Sequence, residues 1–329
     1  MNSSTDNKLI SVRVRSFIIE AEGVRSIDLI AADGEKLPSW TPGAHIEVLL
    51  PGGLARHYSL FNGPEDTDCY RIAVKLEPTS RGGSSALHDF AIGDTVQISA
   101  PRNLFPLDAK AKRHVLIAGG IGITPILSMF RALIAAGSDV TLHYFARARG
   151  YAAFAAWLEQ HPAAGRIHCH FGLDEAATRT RMHEVLAGQA VAATDALYVC
   201  GPTPLMELAT TEALNSGWPS KAIYRESFGA PAVSEAQHDT EKSFEVFFQR
   251  SGKSCMVAPG QTIVAAAAHI GITFCTSCEQ GFCGTCLTNV IEGEIDHRDG
   301  YLTKAEQAKG DQMMPCISRC RSKKLVLDV

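Results

Sequence analysis

The stretch Phe274-Cys275-Thr276-Ser277-Cys278-Glu279-Gln280-Gly281-Phe282-Cys283-Gly284-Thr285-Cys286 decides how the chain is read, together with Met314-Pro315-Cys316-Ile317-Ser318-Arg319. Cysteines occur at 69, 169, 200, 255, 275, 278, 283, 286, 316 and 320, and six of these ten lie between Cys275 and Cys320. A secreted disulfide scaffold is smaller and spreads its cysteines evenly. Clustering in a reducing compartment points instead to a metal or metal–sulfur centre. The four isolated cysteines read as buried small hydrophobes.

Four residues separate Cys278 from Cys283, two separate Cys283 from Cys286, and 29 separate Cys286 from Cys316. This C-x4-C-x2-C…C spacing places four thiolates around a plant-type 2Fe–2S rhomb. Gly281 and Gly284 suit a loop that must turn its N–H groups toward sulfide without a Cβ in the way. Zinc is the alternative, because Cys275–Cys278 and Cys283–Cys286 are both C-x2-C pairs. A zinc ribbon, however, separates its pairs by roughly a dozen residues or more, and only four intervene here. Cys275 and Cys320 are then expected to pack near the centre rather than bind it.

A length of 329 residues suits two or three domains of roughly 100–150 residues each. The chain is 46% hydrophobic and 20% charged with a mean hydropathy of +0.01, which excludes disordered and collagen-like classes. A net charge of −4 and a pI near 6.3 argue against a nucleic-acid partner. The most apolar window, Val115–Phe130, is broken by Gly119, Gly120, Gly122, Thr124 and Pro125 and is too short to cross a membrane. The polar start, Met1–Asn7, carries no secretory h-region, so the expected location is the cytoplasm.

Three textures follow one another. Residues 1–108 hold short alternating runs (Leu9–Val14, His45–Leu49, Arg71–Lys75, Thr95–Ile98) between Gly and Pro turns, which predicts an antiparallel β-barrel. In residues 109–228 the strand candidates His114–Ala118, Val140–Phe145, Ile167–Phe171 and Ala196–Cys200 alternate with helix candidates Pro125–Ala136, Ala152–His161 and Pro204–Ser216. That alternation predicts an α/β domain with a parallel sheet. Residues 229–243 read as a linker. Residues 244–329 form the cysteine-bearing unit, with a strand at Phe244–Gln249 and a helix at Ile263–Ile270.

Arg56-His57-Tyr58-Ser59-Leu60 combines a guanidinium that can clamp a phosphate, a ring that can cover an isoalloxazine face and a hydroxyl within reach of its N5 edge. Alone, it equally describes a surface strand with an aromatic. Arg81-Gly82-Gly83-Ser84-Ser85 offers open backbone and hydroxyls of the kind that cradle phosphate; alone, it describes a loop. Gly119-Gly120-Ile121-Gly122-Ile123-Thr124-Pro125 follows a strand and opens a helix, where a pyrophosphate can meet free N–H groups. It is not G-x-G-x-x-G, and a tight strand-to-helix turn explains the glycines as well. Cys200-Gly201-Pro202 ends a second such strand. Arg147 and Arg149 sit where an adenosine ribose could lie, or face solvent. His168 and His170 share a strand face, and no zinc-protease spacing or G-x-S-x-G elbow occurs. Arg319, Arg321, Lys323 and Lys324 crowd the chain after Cys316, as a solvated face or as a dock for an acidic partner.

Phe274–Cys286 with Met314–Arg319 resembles the C-terminal ferredoxin domain of the phthalate dioxygenase reductase family, which includes the reductase subunits of vanillate demethylase and related Rieske oxygenases. The family order of flavin barrel, nucleotide domain and ferredoxin is the order of the textures, and the resemblance covers nearly the whole chain. It implies a ferredoxin–NADP reductase-like nucleotide domain and an α+β β-grasp ferredoxin domain. It also implies that Arg56, His57, Tyr58 and Ser59 line the flavin, that Ala73, Val74 and Lys75 border it, and that Gly82, Gly83 and Ser84 hold the phosphate of FMN rather than FAD. Thr124 then lies beside the flavin and Phe228 shields its ring. Gly119, Gly120, Gly122, Gly201 and Pro202 face the nucleotide, with Cys200 near the nicotinamide. Cys278, Cys283, Cys286 and Cys316 bind the cluster. The family leans to NADH over NADPH.

A nicotinamide gives two electrons at once and a 2Fe–2S cluster carries one, so a flavin between them is the converter. The expected function is an electron-transfer reductase serving a separate Rieske-type oxygenase. The rivals are the iron–sulfur subunit of a dihydroorotate dehydrogenase, whose last cysteine follows a much shorter gap, and a zinc-stabilised nucleotide-binding regulatory module.

Overall fold

The computed structural model describes residues 9–51, 54–63, 66, 68–77, 82–187, 191–228, 241–276, 279, 281, 284–302 and 304–329. It contains two compact units, 1–226 and 227–329. No helix among the described residues is long and apolar enough to cross a membrane.

The first unit begins with six strands: β1 (Ile10–Ala21), β2 (Val24–Ala31), β3 (His45–Leu50), β4 (Leu54–Ser59), β5 (Tyr70–Lys75) and β6 (Thr95–Ile98). They pair antiparallel in the order β4-β3-β6-β1-β2-β5, and a bridge between Leu60 and Ile72 joins the two ends into a barrel. Strand alternation turns Val12, Val14, Ile27, Leu29, Ile46, Val48, Ile72 and Val74 into one core. A short helix, α1 (Gly83–His88), follows Gly82, whose φ of 93° only glycine adopts at low cost.

A parallel sheet completes this unit in the order β11-β10-β7-β8-β9, formed by β7 (Arg113–Gly119), β8 (Asp139–Ala146), β9 (Ile167–Phe171), β10 (Asp195–Cys200) and β11 (Ile223–Glu226). Leu116, Ala118, Leu142, Tyr144 and Tyr198 pack on one face with α2 (Ile123–Ala135). Val115, Ile117, Leu197 and Val199 pack on the other with α4 (Glu175–Ala187) and α5 (Thr203–Asn215); α3 (Ala155–Gln160) precedes β9. Val24, Phe61, Ala73 and Phe105 from the barrel side share a core with α2, so the two sheets are joined by apolar packing. At Gly43 a Cβ would lie 2.8 Å from Met129 Cε, and its N–H donates to Ser128 Oγ at 3.3 Å.

The second unit is a mixed sheet in the order β13-β12-β18-β14-β16, from β12 (Phe244–Phe248), β13 (Lys253–Val257), β14 (Thr288–Glu292), β16 (Gln312–Met313) and β18 (Lys324–Leu327). Its first and last strands, β12 and β18, run parallel at the centre, the arrangement of a β-grasp. The helix α6 (Ile263–His269) is capped by Thr262, whose hydroxyl accepts the Ala265 N–H at 3.1 Å, and it buries Ile263, Ala266 and Ala267. A small ribbon pairs β15 (Ile295–Asp296) with β17 (Arg319–Cys320), and α7 (Lys304–Gln307) lies between β15 and β16. The stretch read as a linker, 229–243, lies mostly outside the described residues.

Candidate functional site

Hairpin pairing of β3 with β4 sets Arg56 beside the start of α1. A Cβ on Gly83 would lie 2.8 Å from Arg56 Cγ and Nε, so the arginine runs directly across this glycine. Guanidinium, bare backbone at Gly82 and Gly83, and the Ser84 hydroxyl are thereby gathered in one place, while the Ser85 hydroxyl donates back to the Gly82 carbonyl at 3.1 Å. This donor set fits a phosphate. Arg81 lies outside the described residues. Tyr58 packs half-buried on the barrel core.

The structure separates other residues expected around the flavin. His57 is turned to the opposite side of the strand from Arg56 and Tyr58, where its Nε2 meets Glu47 Oε2 at 3.1 Å and its ring stacks on His45 at 4.8 Å. Val74 sends its side chain into the barrel core, and its carbonyl meets His88 Nε2 at 3.0 Å. Lys75 is exposed and pairs with Glu77 at 2.6 Å, while Ala73 faces α2. Thr124 is buried and its hydroxyl donates to the Ile121 carbonyl at 3.1 Å.

The two glycine turns interlock. Gly201 comes so near Gly119 that a Cβ on it would lie 2.9 Å from Gly119 Cα, and a Cβ on Gly122 would lie 2.4 Å from the Cys200 carbonyl oxygen. Close packing of turn on turn thus explains Gly119, Gly122 and Gly201. Gly120, with φ at 52° and open space around its Cα, supplies the turn itself. Pro202 precedes α5 and touches the same junction.

Cys200, fully buried, is register-paired with Ala118 on one side and Glu226 on the other. Burial pushes its thiol well above the ordinary value, with Glu226 adding to the effect. Glu226 is half-buried as a residue, and desolvation of its carboxyl drives the pKa up to about 8, with the Ser59 hydroxyl acting in the opposite direction. Its Oε2 is buried without a hydrogen-bond partner. A carboxyl with a raised pKa and an open buried oxygen, close to Ser59 and beside Cys200, marks a candidate functional site. Sequence reasoning passed over Glu226. The signal was an acid at the end of the short strand Ile223–Glu226, directly before Ser227-Phe228.

Arg149 is held by Glu159 through Nε at 2.9 Å and Nη2 at 2.5 Å, and Arg147 lies over the Tyr151 ring at 3.5 Å. His143 joins His168 and His170 on one sheet face: the rings stack at 4.8 and 5.5 Å, and His143 Nδ1 lies 3.2 Å from His170 Nε2.

In the second unit, Cys286 and Cys316 are buried together against Met314. Two cysteines 30 positions apart thus share one apolar pocket, which fits the cluster spacing. Cys278 and Cys283 lie outside the described residues. Phe228 stands at the start of this unit. Cys275 is exposed, so it does not pack as expected, whereas Cys320 is half-buried with Sγ 3.0 Å from Ser322 Oγ. Arg319 is no docking residue either. It is 5% exposed and donates to the carbonyls of Gln261 and Ala258, with Glu241 Oε2 at 3.5 Å from its Nε.

Residues 246–321 match the model of the 2Fe-2S iron-sulfur cluster binding domain, and residues 99–223 match that of the dimethylamine monooxygenase subunit DmmA-like N-terminal domain. The chain is 43% identical to a vanillate O-demethylase oxidoreductase of Pseudomonas sp. strain HR199 over 98% of its own length and 100% of that protein. The solved phthalate dioxygenase reductase, described as a modular structure for electron transfer from pyridine nucleotides to [2Fe-2S], matches with a TM-score of 0.76 and 34% identity over the whole of both chains. An intact type IV self-sufficient cytochrome P450 monooxygenase matches at a TM-score of 0.77 and 34% identity, over 98% of this chain but 41% of that longer one. The sheet orders, the cysteine spacing and these full-length likenesses agree: the chain belongs to the phthalate dioxygenase reductase family of flavin and 2Fe–2S oxidoreductases.

Proposed function

We propose that this chain is the cytoplasmic reductase component of an oxygenase system, taking electrons from NADH and passing them singly to a separate Rieske-type oxygenase or demethylase. The observation that carries this reading is the convergence of Cys286 and Cys316 in one buried pocket, in a chain whose other unit sets Arg56 across Gly83 and Ser59 against Glu226. When bound, FMN exchanges the electron pairs of NADH for the single electrons that a 2Fe–2S cluster carries.

The residues divide the work. Arg56, Gly82, Gly83 and Ser84 would hold the FMN phosphate, and Tyr58 and Ser59 would orient its ring. Cys278, Cys283, Cys286 and Cys316 would hold the cluster. Glu226, uncharged at neutral pH with its pKa near 8, and the un-ionised Cys200 thiol place no net charge beside an incoming nicotinamide. Cys200 and the Glu226 Oε2 are buried, so this part of the wall is dry. NADH is favoured over NADPH because the Arg149 guanidinium is already paired with the Glu159 carboxylate rather than open to a 2′-phosphate.

The test is an anaerobic titration of the purified protein with NADH and NADPH. Flavin and iron–sulfur bands that bleach faster with NADH, and a Rieske-type oxygenase that becomes reduced when added, are the expected results. A colourless preparation with stoichiometric zinc would overturn the reading.

A further inference from the structure

Asp299 has no part in the sites above, yet its carboxyl is completely buried in the connection between β15 and α7. Three donors converge on it. Oδ2 accepts the Leu302 N–H at 2.9 Å, Oδ1 accepts the Ser318 hydroxyl at 3.1 Å, and His297 Nδ1 lies 3.3 Å from the same Oδ1. Ser318 is itself buried and accepts the Arg298 N–H at 3.1 Å, so its own hydrogen is free for Asp299. Both oxygens of this carboxyl are thereby engaged, while His297 Nε2 on the far side of the ring is buried without a partner.

The groups it joins belong to two cysteine-bearing turns. Ser318 lies two residues after Cys316, in a turn where the Ile317 and Ser318 N–H groups donate to the Met314 carbonyl at 3.1 and 2.9 Å. On the other side, the Gly300 N–H donates to the Gly281 carbonyl at 3.1 Å. A Cβ on Gly281, which lies between Cys278 and Cys283, would stand 2.5 Å from Ile317 Cγ2 and 3.2 Å from Asp299 Cα. The Gly281 turn, Asp299 and the Cys316 turn are therefore stacked without a gap.

We propose that Asp299 is a positioning residue for the 2Fe–2S centre: its carboxyl ties the Cys316 turn, through Ser318, to the segment whose Gly300 N–H holds Gly281, and it sets a buried negative charge beside them. The proposal rests on the cysteine assignment made above. Residues behind the ligands commonly change metal affinity by about 10–100-fold when removed. A fixed negative charge in a low-dielectric site also opposes reduction, because the added electron is repelled.

Two variants of the full-length holoprotein separate these contributions. Asp299→Asn keeps the shape, removes the charge and turns one acceptor into a donor facing donors. Ser318→Ala keeps the charge and removes one strap. Both are expected to lose iron to a chelator at least about tenfold faster than the parent, and Asp299→Asn alone is expected to show a more positive cluster midpoint potential. FMN content and NADH-driven ferricyanide reduction report on the other unit and should not change. Parental iron release in both variants, together with a parental potential in Asp299→Asn, overturns the proposal; faster release or a raised potential upholds it. If Asp299→Asn fails to fold its last unit, Ser318→Ala decides on iron release alone. Absence of iron and acid-labile sulfide from the parent would overturn the cluster assignment itself, and this strap with it.

Discussion

Glu226, at the end of the last strand of the parallel sheet, is paired in register with Cys200 of the neighbouring strand, and the Ser59 hydroxyl at the end of a barrel strand acts on its carboxyl. The barrel and the parallel sheet of this unit thus meet at one carboxyl group. Its Oε2 is buried without a hydrogen-bond partner.

Glu226→Gln should change how stability depends on pH. A carboxyl raised to about 8 in the fold contributes stability that is complete below its unfolded value near 4.5 and is lost as pH rises through about 8. The variant lacks this ionisation. Its melting temperature relative to the parent should therefore climb between pH 5 and pH 9, and parallel melting curves across that range would refute the assignment.

Arg56→Ala should weaken FMN retention. Hydrogen bonds to a charged partner contribute about 1.5–3 kcal/mol each, so roughly a 10–100-fold rise in the FMN dissociation constant is expected. Dialysis followed by flavin fluorescence measures it. His57→Ala should leave retention near the parental value, since His57 turns toward Glu47.

Cys283→Ser should abolish the iron–sulfur absorption, and Cys275→Ser should leave it intact because Cys275 is exposed and supernumerary. Loss of the bands in Cys275→Ser would move the ligand set to the zinc-like pairing.

The histidine stack should make the nucleotide domain acid-sensitive. Burial and neighbouring charge lower His143 to about 3 and His170 to about 4, both below the unfolded value near 6.5. Protons then bind the unfolded chain first, so stability is full above pH 6.5 and falls as pH drops toward 4. His143→Phe should flatten that decline in thermal melts followed by circular dichroism.

Most of the fold was legible because alternation and turn residues mark strands packed on one face. What escaped had weak patterning. The helix Glu175–Ala187 buries only Met182, Val185 and Leu186, so its sequence reads as polar throughout. Strand Ile223–Glu226 is four residues long at a sheet edge. Among candidate site residues, the closeness of Arg56 to Gly83 and of Cys286 to Cys316 follows motifs that the sequence spaces apart. His57 and Val74 were not separable from their neighbours, because a motif names consecutive residues while a strand sends alternate ones to opposite sides. Glu226 and Asp299 gain meaning from partners distant in sequence, Cys200 for the first and Ser318 for the second.

At the meeting of Gly119, Gly122 and Gly201 the polypeptide touches itself main chain to main chain. The contour of that ledge is written in backbone, so the residues around it are free to diverge while its outline persists. A single methyl group at Gly122 or Gly201 would wedge two turns apart, and no neighbouring substitution could make room, since what stands in the way is the chain itself; at Gly119 the obstacles are the Leu205 and Pro202 side chains.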